Sequence, residues 1–338
     1  MKEEAKILFV HPPENEQAKT VVHTLQQGIS EWNIKVTGAR LTTLLFETRK
    51  FDIAHFFLPA AKKTAQLLTK LKGKTRFVQT ILSSPQKPEQ YKDVIFGDQV
   101  IVFSERQKTE LQEHAPDVPA AAIPPCLLLP EATSLQGSSR MRENFNTGER
   151  LLAVALNDFA DRKHFNMFLY IAREYQRREG FRFLIPCIRK DKEALAWRSR
   201  LQASLEQEKL ESTALLDDNV DLHSLIDGCD ITLYVKQDRE LQFEFPLLVV
   251  EALAWGKPVL CSGGGPVSDT VREFRSSWIA SDAEDFVRIS RDVLKEAGQL
   301  EQISTELARF ARPRFSVQSV AGAYRSLYHH LLHSERVI

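Results

Sequence analysis

Short apolar runs alternate along the chain with longer amphipathic segments. In the first part of the chain the apolar runs cover residues 6–10, 33–39, 53–58, 76–81 and 99–104. They are apolar on both faces, which is typical of strands in a parallel sheet that helices cover on each side. The segments between them, such as EQAKTVVHTLQQGISEW and AAKKTAQLLTKLKG, have the length and spacing of helices, and Gly73 supplies a C-terminal stop for the second one.

The same alternation resumes after a stretch of different composition. Residues 115–150 are rich first in Pro and then in Ser, Gly, Arg and Asn, which indicates a linker. Beyond the linker, strands are predicted within 151–156, 181–188, 222–235, 258–262 and 276–280. The pattern therefore predicts two separate runs of alternating strands and helices.

The length of the chain agrees with two domains. Its 338 residues exceed what one ordinary core holds, and 43% of them are hydrophobic, which is enough for packed cores. We predict an α/β protein with two doubly wound, Rossmann-like domains at 1–135 and 145–315. Ligands of such folds bind beyond the carboxyl ends of the strands, and we expect the site there.

Charge and cysteine content narrow the function classes. Lys plus Arg and Asp plus Glu are both 45, and this balance argues against a nucleic-acid partner. The four cysteines are scattered, with no C-x-x-C pair, so we expect reduced core residues in a cytoplasmic protein. No apolar run approaches the ~20 residues of a membrane span, which leaves only peripheral membrane contact open.

Several common catalytic signatures are absent from the sequence. It has no P-loop, no G-x-G-x-x-G, no H-E-x-x-H, no G-x-S-x-G and no D-x-D. The nine histidines show no spacing typical of metal ligands. We therefore expect an anionic ligand that is held without a metal ion.

The stretch EFPLLVVEALAWGKPVLCSGGGP, residues 244–266, has features that suit such an anion. Pro246 fits the first turn of a helix that runs to Trp255 and stops at Gly256. The N-terminus of this helix offers free N–H groups and a partial positive charge, both of which favour phosphate. The glycines at 263–265 let the backbone approach a ligand closely.

Three charged residues are candidates for contact with the ligand. Lys163 follows the first strand of the second domain, where it or its neighbour Arg162 can neutralise phosphate charge. Glu251 lies inside an otherwise apolar helix, and a buried carboxylate rarely lacks a partner. A ribose diol offers two hydroxyl donors to one carboxylate, whereas a structural ion pair or an exposed helix face are the alternatives for Glu251.

The sequence resembles the retaining family-4 glycosyltransferases, which have the GT-B fold. Their hallmark is E-G-F-G/P-L-x-x-x-E-A-x-A-x-G-x-P-V, and FEFPLLVVEALAWGKPV (243–259) matches it from Phe245 onward. Weaker similarities are LHSLIDGCDITLYV, CSGGGPVSDTV, GDQVIVFSERQKTEL, DIAHFFLP and RFSVQSVAGAYRSLYHHLL. The resemblance implies that the two domains face a central cleft. It also implies that the helix at about 316–338 joins the first, acceptor-side domain, and that the second domain binds the donor.

The resemblance also implies an activity and a set of site residues. Such an enzyme moves a sugar from a nucleotide-sugar to an acceptor, here a glycan, a lipid-linked sugar or a small molecule, without metal or cofactor. Glu251 would bind the ribose, and Lys163 the diphosphate. Glu244 and Lys163 would be catalytic. His55 could face the cleft on the acceptor side, and a packed residue or one behind the site is the alternative for it. The full donor-binding set is Arg162, Lys163, Phe245, Pro246, Leu247, Glu251, Gly264 and Gly265.

The chain departs from the family pattern at four places. Phe243 stands where the first acid is expected, which displaces the acid to Glu244. Leu156 replaces an arginine and Leu82 a histidine, while HPPENEQ replaces a glycine-rich loop. Each change removes a polar contact from the expected site. A non-catalytic scaffold or binding protein is therefore the main alternative, and another enzyme on this fold, such as a nucleotide-sugar epimerase, is a further one.

Overall fold

A computed structural model of the chain describes residues 5–38, 47–58, 62–71, 73–82, 84–85, 87–128, 143, 151–156, 162–177, 180–188, 191–217, 219–235, 246–263, 266–274, 278–295 and 297–333. The earlier elements are β1 (Lys6–His11), α1 (Glu16–Gly28), β2 (Asn33–Gly38), β3 (Ile53–Phe56), α2 (Lys62–Leu71), β4 (Arg76–Thr80), α3 (Tyr91–Val94), β5 (Gln99–Val102), α4 (Glu105–His114) and β6 (Ala120–Ala122). The later elements are β7 (Leu151–Ala155), α5 (Arg162–Arg177), β8 (Phe181–Ile185), α6 (Lys192–Gln207), β9 (Thr213–Leu215), α7 (Leu222–Gly228), β10 (Ile231–Tyr234), α8 (Leu247–Ala254), β11 (Val259–Ser262), α9 (Pro266–Arg272), β12 (Trp278–Ala280), α10 (Ala283–Lys295), α11 (Leu300–Phe315) and α12 (Val317–His333).

These elements form two compact units. The first unit comprises the described residues of Met1–Leu129, Arg239–Leu247 and Pro313–Ile338. The second comprises those of Pro130–Asp238 and Leu248–Arg312. None of the helices in the described part of the chain is long and apolar enough to cross a membrane.

The first unit is built on a parallel sheet with the strand order β2-β1-β3-β4-β5-β6. Every residue of β3 and of β5 is buried, as the two-faced apolar runs predict. The order reverses between β1 and β3, so consecutive connections leave the sheet toward opposite faces. The prediction of a doubly wound parallel sheet is confirmed for this unit.

Strand β6 shows that the predicted linker, residues 115–150, contains part of the first sheet. Residues Ala120–Ala122 fall in the predicted linker, yet they pair in parallel with Val100–Val102 of β5. Three alanines carry no alternating pattern, and the prolines around them resemble a linker. An edge strand tolerates such neighbours because only one of its sides must form hydrogen bonds.

The second unit repeats the architecture, with the strand order β12-β11-β10-β7-β8-β9. Its order reverses between β7 and β10, and a doubly wound sheet is confirmed here too. The sequence pattern did not predict β9, a three-residue strand at the edge of the sheet. One face of the sheet packs against α5 and α10, where the Tyr175 hydroxyl lies 2.6 Å from Ser290 Oγ.

The last helix, α12, packs against α1 within the first unit. The two helices approach closely at Gly28, where an added Cβ would lie 2.7 Å from Val317 Cγ2. Tyr324 and Tyr328 of α12 are buried, and Tyr328 contacts the ring of Phe9 in β1. Residues close to the C-terminus therefore complete a core that the first residues begin.

Candidate functional site

The reversal of strand order in the second unit marks its candidate ligand site. Strands β7 and β10 are parallel neighbours, and each leads from its carboxyl end toward a helix, α5 and α8 respectively. Where successive connections diverge in this way, a crevice forms beyond the strand ends, and ligands of α/β proteins bind in it. The N-terminal ends of α5 and α8 therefore flank the candidate site. The linking residues 157–161 and 236–245 lie outside the described part of the chain.

Two basic residues begin helix α5. Arg162 and Lys163 are its first two residues, and both are exposed. The N-terminus of a helix carries a partial positive charge, so two cations there are locally unfavourable. A bound anion would reverse the sign of that interaction, and the helix N–H groups would add donors to it. The arrangement fits the phosphate contact that was predicted for both residues.

Helix α8 carries two of the remaining candidates, Leu247 and Glu251. It begins at Leu247, one residue later than predicted, so Pro246 lies immediately before it. It is followed by Gly256 as predicted, with φ +75°, a left-handed conformation that glycine adopts without strain. Backbone N–H groups of Gly256 and Lys257 donate to the carbonyls of Leu253 and Ala252, at 3.0 and 2.8 Å. These two bonds close the C-terminus of the helix and fix the position of Glu251 one turn earlier.

Glu251 is buried and has a partner that the sequence did not reveal. Only 5% of the residue is exposed, so the alternative of an exposed helix face is wrong. Its Oε1 is paired with Nδ1 of His223, the second residue of α7. Its other carboxylate oxygen makes no hydrogen bond with any residue that the structure describes. The pair favours the ion-pair interpretation, while the second oxygen leaves room for a hydroxyl donor.

The electrostatics of this pair follow from its burial. Removal from water raises the pKa of Glu251, and the nearby His223 opposes that rise without cancelling it. Partial burial on its own would lower the pKa of His223, but the Glu251 carboxylate and then Asp221 raise it overall. Asp221 caps α7 by accepting from the His223 N–H at 3.1 Å. Each partner thus stabilises the charged form of the other.

The end of β11 adds a polar group that the sequence analysis missed. Ser262 is 3% exposed, and its buried Oγ has no hydrogen-bond partner among the described residues. The next residue, Gly263, donates its N–H to the carbonyl of Ala280 at 2.7 Å, which keeps the chain in the sheet up to that point. In the sequence, this serine ends an apolar strand and precedes the glycines, and that position could have identified it as a candidate site residue.

His55 lies in the core of the first unit. It is fully buried, with Nδ1 2.6 Å from the Tyr328 hydroxyl and Nε2 2.7 Å from Thr80 Oγ1. Its ring stacks on Phe57. Burial holds the pKa of His55 well below its usual value, so the imidazole is neutral. Both ring nitrogens are hydrogen-bonded inside the core, which favours the packed alternative, and the role on the acceptor side stays a prediction.

Several predicted site residues lie outside the described part of the chain, namely Glu244, Phe245, Gly264 and Gly265. Within the described ranges, no three His, Cys, Asp or Glu side chains cluster in a way that would hold a metal ion. Of the candidates in the second unit, the structure therefore describes Arg162 and Lys163 on α5 and Glu251 on α8, and the contact that it shows is the one between Glu251 and His223.

Solved structures identify the fold. HepE from Anabaena, in complex with UDP, superposes with a TM-score of 0.77 at 12% identity, over 96% of this chain and 99% of that chain. A glycosyltransferase from Rickettsia africae gives a TM-score of 0.75 at 13% identity, over 98% and 100%. Sucrose-phosphate synthase from Thermosynechococcus elongatus gives 0.70 at 13%, also over 98% and 100%. No protein-family model and no curated protein sequence matches the chain. The predicted GT-B fold is confirmed.

Proposed function

We propose that this protein is a retaining glycosyltransferase that moves a sugar from a nucleotide-sugar donor to an acceptor without a metal ion, as the family-4 enzymes do. The observation that carries the proposal is the placement of Lys163 and Glu251. They lie on the two helices that flank the strand-order reversal of the second unit. One is a cation at a helix N-terminus and the other a buried carboxylate, which are the groups that a nucleoside diphosphate requires.

The structural neighbours support the choice of donor. HepE from Anabaena has been solved with UDP and with UDP-glucose, on the same fold. In the proposal, the free oxygen of Glu251 accepts hydrogen bonds from the ribose diol. A carboxylate is suited to this because it accepts several hydrogen bonds, and those to a charged acceptor are the strong ones.

The proposed chemistry depends on the leaving diphosphate. The bond between the anomeric carbon and the phosphate oxygen breaks, and a bond to the acceptor hydroxyl forms on the same face of the sugar. The acceptor proton passes to the leaving phosphate. Lys163, Arg162 and the α8 N-terminus stabilise the charge that develops on the diphosphate. Glu244 contacts the sugar, and Phe245, Pro246, Leu247, Gly264 and Gly265 line the donor site.

The proposal is less specific about the acceptor than about the donor. The acceptor is a glycan, a lipid-linked sugar or a small molecule, reached in the cytoplasm, with peripheral membrane contact in the lipid-linked case. The contribution of His55 to the acceptor side is indirect. Its two hydrogen bonds hold β3, β4 and α12 together. Neither a cofactor nor a nucleic-acid partner is part of the proposal.

One observation favours a second candidate, a non-catalytic binding protein on the same scaffold. Leu156, at the position where the family carries an arginine, is 3% exposed, and its N–H donates to the carbonyl of Leu233 at 2.8 Å. Leu82, at the position of the family's histidine, is also 3% exposed. Both positions are occupied by core side chains, which offer no polar contact to a sugar.

Thermal unfolding with a panel of nucleoside diphosphates and nucleotide-sugars tests the proposal. A ligand that binds only the native state raises the free energy of unfolding by about 2.7 kcal/mol at a hundredfold excess over Kd. We expect one nucleotide and its sugar conjugates to raise Tm, followed by transfer of the sugar to an acceptor. Binding without turnover for any acceptor, or no shift with any nucleotide, contradicts the transferase and supports the second candidate, a non-catalytic scaffold or binding protein.

A further inference from the structure

The contact between His223 and Glu251 joins a buried acid to an exposed base. The Glu251 side chain is 7% exposed, whereas the His223 side chain is 70% exposed. His223 lies at the beginning of α7, which follows β9, and Glu251 lies on α8, which follows β10. The pair therefore joins two helices that each follow the carboxyl end of a strand, and one of them, α8, flanks the strand-order reversal. The imidazole of His223 is therefore the solvent-facing member of the pair.

The buried carboxylate depends on this single contact. An isolated ionised carboxylate is costly to bury and takes up a proton instead when no partner offsets the loss of water. A protonated carboxyl group becomes a hydrogen-bond donor itself, and its remaining acceptor capacity is weaker. Among the described residues, His223 is the hydrogen-bond partner of Glu251, and it binds only Oε1. The contact leaves Oε2 available and fixes the plane of the carboxylate.

We propose that His223 is a positioning residue for nucleotide binding, which keeps Glu251 ionised and oriented so that its second oxygen accepts hydrogen bonds from the vicinal diol of a ribonucleoside. This inference rests on the proposed function and adds a residue to it. His223 acts through Glu251. By orienting Glu251, His223 makes the site select ribonucleotides over 2′-deoxyribonucleotides, because only ribonucleotides present both hydroxyls of the diol.

Among the charged groups near Glu251, His223 is the one that can offset the charge of its carboxylate. In the described part of the chain, the one other charged group that acts on the pair is Asp221, at the N-cap of α7. Its carboxylate accepts from the Ser224 hydroxyl at 2.6 Å and disfavours a second negative charge on Glu251. Lys257, just beyond α8, is directed elsewhere, with Nζ 3.1 Å from the carbonyl of Cys229. No described cation other than protonated His223 is placed to offset the charge of Glu251.

The experiment measures nucleotide affinity against pH for matched variants. Kd values for UDP, GDP and ADP and for their 2′-deoxy forms are determined from pH 5.5 to 8.5 for the wild type, H223A, H223Q and E251Q. H330A is the control, because His330 is an exposed histidine on α12 of the other unit. Circular dichroism at each pH establishes that the variants are folded.

We expect a loss of affinity in H223A that depends on pH. Without His223 the carboxyl of Glu251 is protonated at higher pH, and ribonucleotide affinity falls about tenfold per pH unit below its pKa. As pH rises, the carboxyl of Glu251 ionises without the help of His223, so the loss of affinity in H223A, and of its preference for ribose, should shrink toward pH 8.5. H223Q, which keeps a donor but no charge, shows an intermediate pH dependence, and E251Q binds weakly at every pH. H330A follows the wild type.

Each contrary result has a distinct meaning. An equal loss in H223A at every pH, or no loss at all, overturns the role of His223 and leaves the nucleotide site in place. No nucleotide binding by the wild type overturns the proposed function, and with it the ligand assigned to Glu251. The pair is tested without nucleotide by NMR titration of the His223 imidazole. An unchanged His223 pKa in E251Q overturns the coupling between the two residues, whatever the ligand is.

Discussion

Nδ1 of His55 lies 2.6 Å from the hydroxyl of Tyr328, although 273 positions separate the two residues in sequence. The contact ties β3, at the centre of the first sheet, to the last helix of the chain. Thr80 engages the other ring nitrogen from β4, so one buried imidazole joins three elements. The network has no contact with solvent, and its hydrogen bonds are therefore expensive to break.

Replacing Tyr328 with Phe leaves a ring nitrogen of His55 buried without a partner. We expect Y328F to lower the free energy of unfolding by about 1–3 kcal/mol, the usual cost of an unsatisfied buried polar group. Urea denaturation measures the difference. Y170F is the matched control, since the half-buried Tyr170 of α5 makes no hydrogen bond with a described residue. Equal effects of the two substitutions would contradict the importance of the His55 contact.

The low pKa of His55 predicts a loss of stability in acid. Burial depresses the folded-state pKa, so the unfolded chain binds a proton at pH values below about 6.5 while the folded chain does not. The free energy of unfolding therefore decreases as pH falls below about 6.5, by at most about 1.4 kcal/mol per pH unit. Urea denaturation at pH 7.5 and 5.5 should show a larger loss for the wild type than for H55Q. H330Q, the control, should lose as much stability between these two pH values as the wild type does.

Gly256 and Gly322 predict opposite responses to alanine. Gly256 has φ +75°, and an added Cβ would lie 2.3 Å from the carbonyl oxygen of Ser304, so we expect G256A to destabilise by about 2 kcal/mol or more. Gly322 lies inside α12 with no atom within 4 Å of an added Cβ, and G322A should stabilise by about 0.5–1 kcal/mol. Denaturant midpoints measure both changes. A neutral G256A would mean that the turn after α8 tolerates another conformation.

Removing the Glu251 carboxylate should weaken nucleotide binding. Loss of hydrogen bonds to a charged acceptor is expected to cost E251A at least about tenfold in affinity for a ribonucleoside diphosphate. Isothermal titration calorimetry at pH 8 measures the change. E306A, which alters an exposed glutamate of α11, is the control. Full affinity in E251A would remove this residue from the donor site.

Lys163 should contribute to the binding of the phosphates and not to the binding of the nucleoside. We expect K163A to reduce affinity for a nucleoside diphosphate by roughly tenfold, because one charge-assisted contact is lost. Binding of the nucleoside without phosphates should be unchanged. The salt dependence of diphosphate binding should also weaken. K192A, at an exposed lysine in the first turn of α6, provides the comparison, and an equal loss there would indicate a non-specific charge effect.

The fold could be predicted because strands that are buried on both faces leave a strong signal. Ten of the twelve strands coincide with apolar runs, and the two that were missed, β6 and β9, are edge strands of three residues each. The need of Glu251 for a partner was predictable, since a lone acid in an apolar helix is costly. The identity of the partner was not, because His223 lies 28 positions away on another helix, and sequence spacing does not show that contact.

The packing of α12 has a consequence for how the chain is made. Its buried Tyr328 contacts Phe9 and His55, which both lie within the first eighty residues. While the ribosome is still adding residues of the second unit, His55 has Thr80 but no tyrosine hydroxyl, and α1 lacks the helix that covers Gly28. The second unit, whose described residues end at Arg312, can close its sheet earlier. The unit whose first strands are synthesised earliest is therefore the one whose core is completed last, once α12 has been made.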